Sequence, residues 1–278
     1  KEIQNNKNKN ILKFLYLFTF IFFNLSFNRI AEYGTDKVGQ LLIVLVIIKL
    51  FQRICLNKDK TPIDQILFLV PLLALCISLK TYFLPYIFLG LLIIIIDKNK
   101  LDILIKILNS KSFLFFLLIL IFNFLHHFVS TGCIVSPLHY TCLGDSVSWS
   151  KDIDVIKSLS LWLEQWAKAG AGPNFRVENV DQYLLYLNWV PNWFEKYFVV
   201  KFLDQLMILL SSFLVVFLLF KKFKYRKNKN IFDKKKFFYF YFIISVIFLI
   251  WFFNHPTLRY GGYSAVFLLI SLPTVLFF

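Results

Sequence analysis

The chain has 278 residues, 58% of them hydrophobic, and its formal net charge is +15. The hydrophobic share exceeds the roughly 45–50% of typical soluble domains, and the mean hydropathy of +0.66 argues against a soluble globular protein. A surplus of cations is typical of nucleic-acid-binding proteins, but in so apolar a chain Lys and Arg first indicate cytoplasmic loops that orient a membrane protein.

Eight apolar runs predict membrane-spanning helices, since about 20 apolar residues cross a hydrocarbon core. They cover residues 11–27, 41–56, 66–79, 82–96, 113–129, 202–220, 237–253 and 264–278. Several runs are short and must extend into their flanking residues. The chain begins with Lys1 rather than Met and ends inside the last run, so we expect a fragment of a longer protein.

Residues 66–96 contain a single charge, Lys80, and could form one long helix or two short ones. One helix would be about 46 Å long, well beyond the roughly 30 Å of a hydrocarbon core. Pro85 also favours an extended residue before it. We therefore predict a hairpin that turns near residues 80–85.

The connecting segments alternate in charge. One set comprises residues 1–10, 52–62, 97–111 and 221–236, and holds 19 Lys and Arg against five Asp and Glu. The other set comprises residues 28–40, 78–85, 130–200 and 254–263, and holds nine of each sign. This pattern predicts eight spans with a cytoplasmic N-terminus. Because the cations are explained as an orienting device, the bilayer is a predicted partner and nucleic acid is not.

The predicted fold is an all-α polytopic transmembrane bundle with a large, partly helical outer loop. It divides into transmembrane helices over residues 1–129, the non-cytoplasmic loop over residues 130–201, and further transmembrane helices over residues 202–278. A loop of this length is too long to be a mere connector. It is either a lid over a site or a segment that lies on the membrane.

Helical spacing of apolar residues within the loop predicts a helix over residues 153–169. Asp152 would cap its start and Gly170 would end it. A second apolar and aromatic stretch over residues 181–198 is predicted to be broken by Pro191, and its aromatic residues suit the membrane–water boundary.

The four cysteines fall into two groups. Cys133 and Cys142 share the outer loop, where an oxidising environment favours a disulfide over two unpaired thiols. Cys55 and Cys76 lie in apolar runs and are expected to be buried small hydrophobes. No cysteine pair has zinc-site spacing with His, so no metal site is predicted from them.

The first outer segment offers two carboxylates, Glu32 and Asp36, and two cations, Arg29 and Lys37. The carboxylates could hold a divalent cation or act as a general base. The alternative is a solvated loop whose charges neutralise one another.

Lys80 is an ionisable residue in an apolar hairpin, which is a functional signal unless it snorkels to the surface. His126 and His127 end a span and point about 100° apart, so they are better interface residues than ligands of one metal.

The last outer segment, residues 254–263, contains His255, Arg259 and a glycine pair. Arginine offers a planar fork that fits phosphate oxygens. The glycines would let the backbone approach a ligand closely, or would merely form a tight turn. Together, the outer cations suit a phosphate-bearing, lipid-linked substrate, and the outer acids suit the role of proton acceptor.

Five strings carry a resemblance to a known family: RIAEYGTDKVGQ (29–40), LKTYFLP (79–85), HHFVSTGCIVSP (126–137), WLEQWAKAGAGPN (162–174) and NHPTLRYGGY (254–263). They resemble a little-characterised bacterial membrane-protein family, which is similar in layout to the GT-C integral-membrane glycosyltransferases. The resemblance implies sugar transfer on the outer face from a polyprenyl-phosphate-linked sugar. The acidic motif of GT-C enzymes lies in the first outer loop of the complete protein, so the resemblance leaves two alternatives for the catalytic acid: Glu32 or Asp36, or a residue upstream of this fragment.

The predicted function is a GT-C-like glycosyltransferase in cell-envelope glycan assembly, in a bacterial inner membrane. Its predicted catalytic residues are Asp36, Glu32 and His255. Its predicted phosphate-binding residues are Arg259, Lys80, Arg29 and Lys37. The alternatives are an O-antigen polymerase or ligase, an envelope-lipid transporter or flippase, and a structural membrane subunit.

Overall fold

A computed structural model describes residues 2–27, 35–56, 67–96, 99–221 and 233–277. The regular structure of these residues is mostly helical, as predicted. The first half contains α1 (Glu2–Ser26), α2 (Asp36–Phe51) with a π-helical extension (Gln52–Leu56), α3 (Leu69–Leu79), a 3-10 turn (Thr81–Tyr86), α4 (Ile87–Ile96), α5 (Lys100–Leu108) and α6 (Lys111–Thr131).

The second half adds turns, a two-stranded hairpin and further helices. It contains 3-10 turns (His139–Thr141 and Gly144–Ser146), α7 (Ile153–Ala167), β1 (Ala171–Gly172), β2 (Phe175–Arg176), α8 (Val180–Leu184), α9 (Val190–Trp193), a π-helix (Phe194–Phe202), α10 (Leu203–Lys221), α11 (Lys234–Asn254), a 3-10 turn (Leu258–Tyr260), α12 (Gly262–Thr274) and a last 3-10 turn (Val275–Phe277). β1 and β2 pair as a two-residue antiparallel hairpin.

Four helices in the described ranges are long and apolar enough to cross a membrane: Asp36–Leu56, Lys111–Thr131, Val190–Phe220 and Lys234–Asn254. Three shorter apolar helices accompany them: Leu69–Leu79, Thr81–Leu92 and Gly262–Thr274. The chain is therefore a helical protein whose apolar helices suit a bilayer. The four long helices coincide with four of the eight predicted spans.

An aromatic core joins α1 to α10 and α12. Phe14, Phe18 and Phe22 recur every four residues, so they share one face of α1, and all three are fully buried. Phe213 on α10 packs edge-on to Phe14, with ring centroids 6.1 Å apart. Phe267 on α12 stacks on Phe22 at 5.0 Å. Aromatic pairs of this kind add to the stabilisation that burial alone gives.

The bundle has two distinguishable ends. At one end the amide of Asp233 donates to the carbonyl of Cys55, 3.4 Å away. At the other end Asp36 pairs with Lys80 and Arg259. The full lengths of α2 and α11 separate the two ends from each other. Much of the basic segments 52–62 and 221–236 lies outside the described residues.

The helix interruption at Lys80 lies where the sequence predicts a turn. Lys80 has an extended backbone (φ −153°, ψ 117°) between α3 and the 3-10 turn that contains Pro85. The predicted connector over residues 97–111 instead contains the helix Lys100–Leu108, whose Ile103 is buried. The apolar residues of this segment recur at helical spacing, and this pattern favours a helix although the segment also carries charges.

The helix in the predicted outer loop agrees with expectation at its start and differs from it at its end. The helix starts at the predicted cap, since the Asp152 carboxylate accepts from the Asp154 amide at 2.8 Å. It ends at Ala167, and Ala169 rather than Gly170 takes the left-handed conformation (φ 61°). A Cβ on Gly170 would collide with the ring of Tyr183, so the glycine serves a close approach instead of the turn.

Pro191 begins a helix and does not break one. It lies in the first turn of Val190–Trp193, where its missing N–H has no intrahelical partner to lose. The helix then continues as Val190–Phe220, which shortens the non-helical part of the predicted loop. Trp189 and Trp193, expected at a membrane boundary, are 0% and 5% exposed inside the protein.

Candidate functional site

A buried carboxylate pairs with two cations at one end of the bundle. Asp36 is 1% exposed in the first turn of α2. Its Oδ1 lies 2.7 Å from the Nζ of Lys80, and its Oδ2 accepts from the Nε of Arg259 at 2.9 Å. We call these three residues the Asp36 network. Three segments that are distant in sequence therefore meet at one carboxylate.

Gln40 holds the arginine loop against α2. It lies one helical turn after Asp36, so the two side chains share a face. Its Nε2 donates to the carbonyls of Leu258 and Arg259 at 3.0 and 3.3 Å. Its Oε1 accepts from the amide of Ser264 at 2.9 Å. Both ends of this buried amide are thus satisfied, and the backbone on either side of Arg259 is fixed.

The long helix Val190–Phe220 braces the same loop from the other side. The Nε1 of Trp193 donates to the carbonyl of Pro256 at 2.8 Å. The hydroxyl of Tyr197 accepts from the amide of Leu258 at 2.8 Å. The loop that carries Arg259 is therefore hydrogen-bonded to two helices.

Arg259 is hydrogen-bonded to Asp36 through one nitrogen atom, and most of its side chain is exposed. Its side chain is 60% exposed although its Nε is bound to Asp36. A guanidinium has five N–H donors, and this bond uses one of them. The hydrogen bond that Arg259 donates to Asp36 raises the pKa of Arg259 above its usual value, so the cation is permanent.

Arg259 opens onto a cavity of about 500 Å³, which we call the polar cavity. Its polar lining includes Lys201, Asp204, Gln205, Thr257, Arg259 and Tyr260. Thr257 is 6% exposed, and its Oγ1 has no hydrogen-bond partner among the described atoms. An unpaired buried hydroxyl is costly, so Thr257 is a ready partner for a ligand.

A second cavity of about 320 Å³, the aromatic cavity, adjoins the first. Tyr82, Trp251 and His255 line it, and Tyr260 lines both cavities. The ring of Tyr82 lies 4.8 Å from His255 and 4.6 Å from Tyr260. Burial lowers the pKa of His255 to about 4, so its imidazole is neutral at physiological pH.

A disulfide closes the edge of the aromatic cavity. Cys133 and Cys142 are joined, and Val135 and Leu138 of the loop between them line the cavity. Cys55 and Cys76 are buried free thiols.

The comparisons with known proteins identify a family. A family model described as "Domain of unknown function (DUF8201)" matches residues 1–266. The chain belongs to the DUF8201 family. No curated protein and no solved structure matches it.

The structure of this DUF8201 protein brings some of the predicted site residues into contact and leaves others apart. Asp36, Lys80 and Arg259 are in direct contact, and His255 lies in the adjoining cavity. Lys37 is half-buried beside Asp36 but does not pair with it. The remaining predicted residues, Arg29 and Glu32, lie outside the described residues.

The geometry changes the role that the sequence suggests for Asp36. Both of its oxygens are bound to cations, and it is almost inaccessible. It is therefore placed to position Arg259, while the exposed carboxylate at the cavity belongs to Asp204. Within the described part of the chain, His, Cys, Asp and Glu form no group that could hold a metal ion.

Sequence reasoning missed Gln40, Lys201, Asp204 and Thr257. One signal was available: Lys201 and Asp204 are charges at the start of an apolar run, where an ionisable residue is a functional candidate. Gln40 and Thr257 give no such signal, because their roles depend on contacts with distant segments.

Proposed function

We propose that this DUF8201 protein is a GT-C-like integral-membrane glycosyltransferase that uses a polyprenyl-phosphate-linked sugar in cell-envelope glycan assembly. The observation that carries the proposal is the exposed guanidinium of Arg259, anchored by buried Asp36 at the mouth of the polar cavity. A pre-positioned arginine beside a cavity suits a phosphate group.

The proposed topology has eight spans, a cytoplasmic N-terminus and the site on the non-cytoplasmic face of a bacterial inner membrane. The Asp36 network lies at the end of the bundle opposite Cys55 and Asp233. The latter end adjoins the basic segments 52–62 and 221–236, which the positive-inside rule keeps in the cytoplasm. The large outer loop over residues 130–201 would then cover the site as a lid.

In the proposed complex the lipid phosphate lies in the polar cavity. Arg259 and Lys201 neutralise it, and the Thr257 hydroxyl donates to one of its oxygens. Lys80 acts indirectly, by sharing Asp36 with the arginine. Fixed cations at the place where charge develops stabilise the transition state without reorganisation.

The proposed reaction is a direct displacement at the sugar's anomeric carbon. The acceptor hydroxyl forms a new C–O bond and gives its proton to the carboxylate of Asp204. The bond between the anomeric carbon and the phosphate oxygen breaks, and the electron pair leaves with the polyprenyl phosphate. Arg259 and Lys201 stabilise the negative charge of this leaving group.

The test uses the variants Arg259→Ala and Arg176→Ala in nanodiscs. Arg176 is a matched control because it is also hydrogen-bonded, to Gln165 at 2.9 Å, but does not line the polar cavity. Loss of a charge-assisted contact worth about 1.5–3 kcal/mol lowers affinity roughly 10- to 150-fold. We expect this loss of polyprenyl phosphate binding in Arg259→Ala only.

Two other results would redirect the proposal. Equal binding of polyprenyl phosphate by both folded variants would remove its basis. The protein could bind polyprenyl phosphate normally but transfer no sugar to an acceptor, and deletion of the protein could leave the glycans of the cell unchanged. These two results together would favour an envelope-lipid transporter.

A further inference from the structure

A third cavity lies at the opposite end of the bundle from the Asp36 network. It has a volume of about 730 Å³, and we call it the basal cavity. Its walls come from α1, from α2 with its π-helical extension, and from the start of α3. Lys49 and Arg53 line it near the C-terminal end of Asp36–Leu56, the end at which Cys55 meets Asp233.

The basal cavity is apolar along its length and cationic at one end. Leu42, Leu45 and Val46 recur at helical spacing with Lys49 and Arg53, so all five lie on one side of the helix. This row is about 16 Å long at ~1.5 Å per residue. Leu72 and Phe68 complete the apolar wall opposite it. Among the described residues that line the cavity, the charged side chains are both cationic.

An unsatisfied hydroxyl points independently to a ligand. The Oη of Tyr16 is buried and has no hydrogen-bond partner among the described atoms, and Tyr16 lines the cavity. The Nζ of Lys49 lies 5.6 Å from the centre of the same ring. Buried hydroxyls are normally hydrogen-bonded, so an acceptor atom is expected beside this cation.

We propose that the basal cavity binds one anionic phospholipid from the leaflet opposite the Asp36 network. Its phosphate lies between Lys49 and Arg53 and accepts a hydrogen bond from Tyr16, while an acyl chain follows the leucine-lined wall. Basic pockets between membrane helices bind anionic headgroups in this way. The proposal is independent of the glycosyltransferase assignment, because it concerns the other end of the bundle.

The apolar wall distinguishes a lipid from free phosphate, which would leave that wall in contact with water. Lys49 and Arg53 favour an anionic lipid over a zwitterionic one, because they would repel the cationic group of a zwitterionic headgroup. Phosphatidylglycerol is therefore a suitable probe and phosphatidylcholine its matched comparison.

The experiment measures lipid binding to the purified chain by native mass spectrometry, with phosphatidylglycerol and phosphatidylcholine as probes. The variants are Lys49→Gln and Tyr16→Phe. Lys13→Gln is the control, because Lys13 is an exposed cation on α1 that does not line the cavity. Thermal midpoints establish that each variant is folded.

We expect the wild type to prefer phosphatidylglycerol by about tenfold, and Lys49→Gln to lose about fivefold in affinity, as one lysine contributes near a membrane surface. Tyr16→Phe should lose several-fold, Lys13→Gln less than twofold, and millimolar inorganic phosphate should not displace the lipid. Equal binding of the two lipids, equal effects of Lys49→Gln and Lys13→Gln, or displacement by phosphate would each overturn the proposal. Arg259→Ala should leave this binding unchanged, so failure here and failure of the transferase assignment are separable.

Discussion

Replacing Asp36 with Asn tests whether this carboxylate positions Arg259. The substitution keeps the shape of the side chain but removes its charge. Two cations, bound at 2.7 and 2.9 Å, would lose their shared partner, and one of them would face an amide N–H₂ group instead of an oxygen.

The expected loss of stability follows from burial. Breaking a fully buried ion pair costs about 3–5 kcal/mol. Here Lys80 and Arg259 are 26% and 60% exposed, and hydration of these groups recovers part of that free energy. We expect a loss of about 2–3 kcal/mol, which lowers the thermal midpoint by roughly 3–5 °C for a chain of this size.

The assay is thermal unfolding in detergent, together with polyprenyl phosphate binding and sugar transfer in nanodiscs. Asp154→Asn is the matched control, since Asp154 also lies in the first turn of a helix but is exposed. The control should lose only the helix-dipole contribution of about 0.3–1 kcal/mol. Without its anchor, Arg259 regains rotamer freedom worth about 1–2 kcal/mol, so affinity for the phosphate should fall roughly 5- to 30-fold.

Two outcomes would refute this reasoning. A midpoint of Asp36→Asn no lower than that of the control would mean that the network contributes nothing to stability. Loss of sugar transfer with unchanged midpoint and unchanged lipid binding would identify Asp36 as the proton acceptor instead of a positioning residue.

Two further predictions concern the residues around the site. Because burial lowers the pKa of His255 to about 4 while the unfolded value is near 6.5, unfolding takes up a proton below pH 6.5, and about 2 kcal/mol of stability should be lost between pH 7.5 and 5. His255→Gln should remove this part of the pH dependence of the unfolding midpoint, and an identical profile would contradict it. Gly262→Ala would place a Cβ 2.5 Å from an indole ring and should cost about 1–3 kcal/mol; Gly90→Ala, which meets no atom within 4 Å, should stabilise its helix by up to about 1 kcal/mol. Equal unfolding midpoints for the two glycine variants would contradict the packing.

Helices were the most predictable part of the fold, because an apolar run of helical length has few other solutions in a membrane protein. The interruption at Lys80 was predictable for the same reason: residues 66–96 are too long for one span, and Pro85 marks the break. The start of the helix at Pro191 was not, since proline is compatible both with a helix break and with a first turn.

The sequence predicts that the site residues lie on the same side of the bundle, but it does not predict which of them contact one another. Charge alternation places Asp36, Lys80 and Arg259 on one face, yet the contact between Asp36 and Arg259 spans 223 positions. No local pattern encodes such a contact, and both residues would read equally well as solvated loop charges. The carboxylate at the polar cavity, Asp204, was missed because no local pattern places the start of its apolar run beside the loop that carries Arg259.

Charge counting narrows the ligand that the site can take. The Asp36 network combines two cations and one carboxylate, so it contributes one net positive charge, and the charges of Lys201 and Asp204 in the polar cavity cancel. A sugar joined to a lipid through one phosphate is a diester with a single negative charge, which this balance neutralises. A diphosphate would bring a second negative charge into a partly desolvated cavity, where an unpaired charge is costly. If the protein is the proposed glycosyltransferase, the electrostatics of the described residues therefore favour a monophosphate-linked donor.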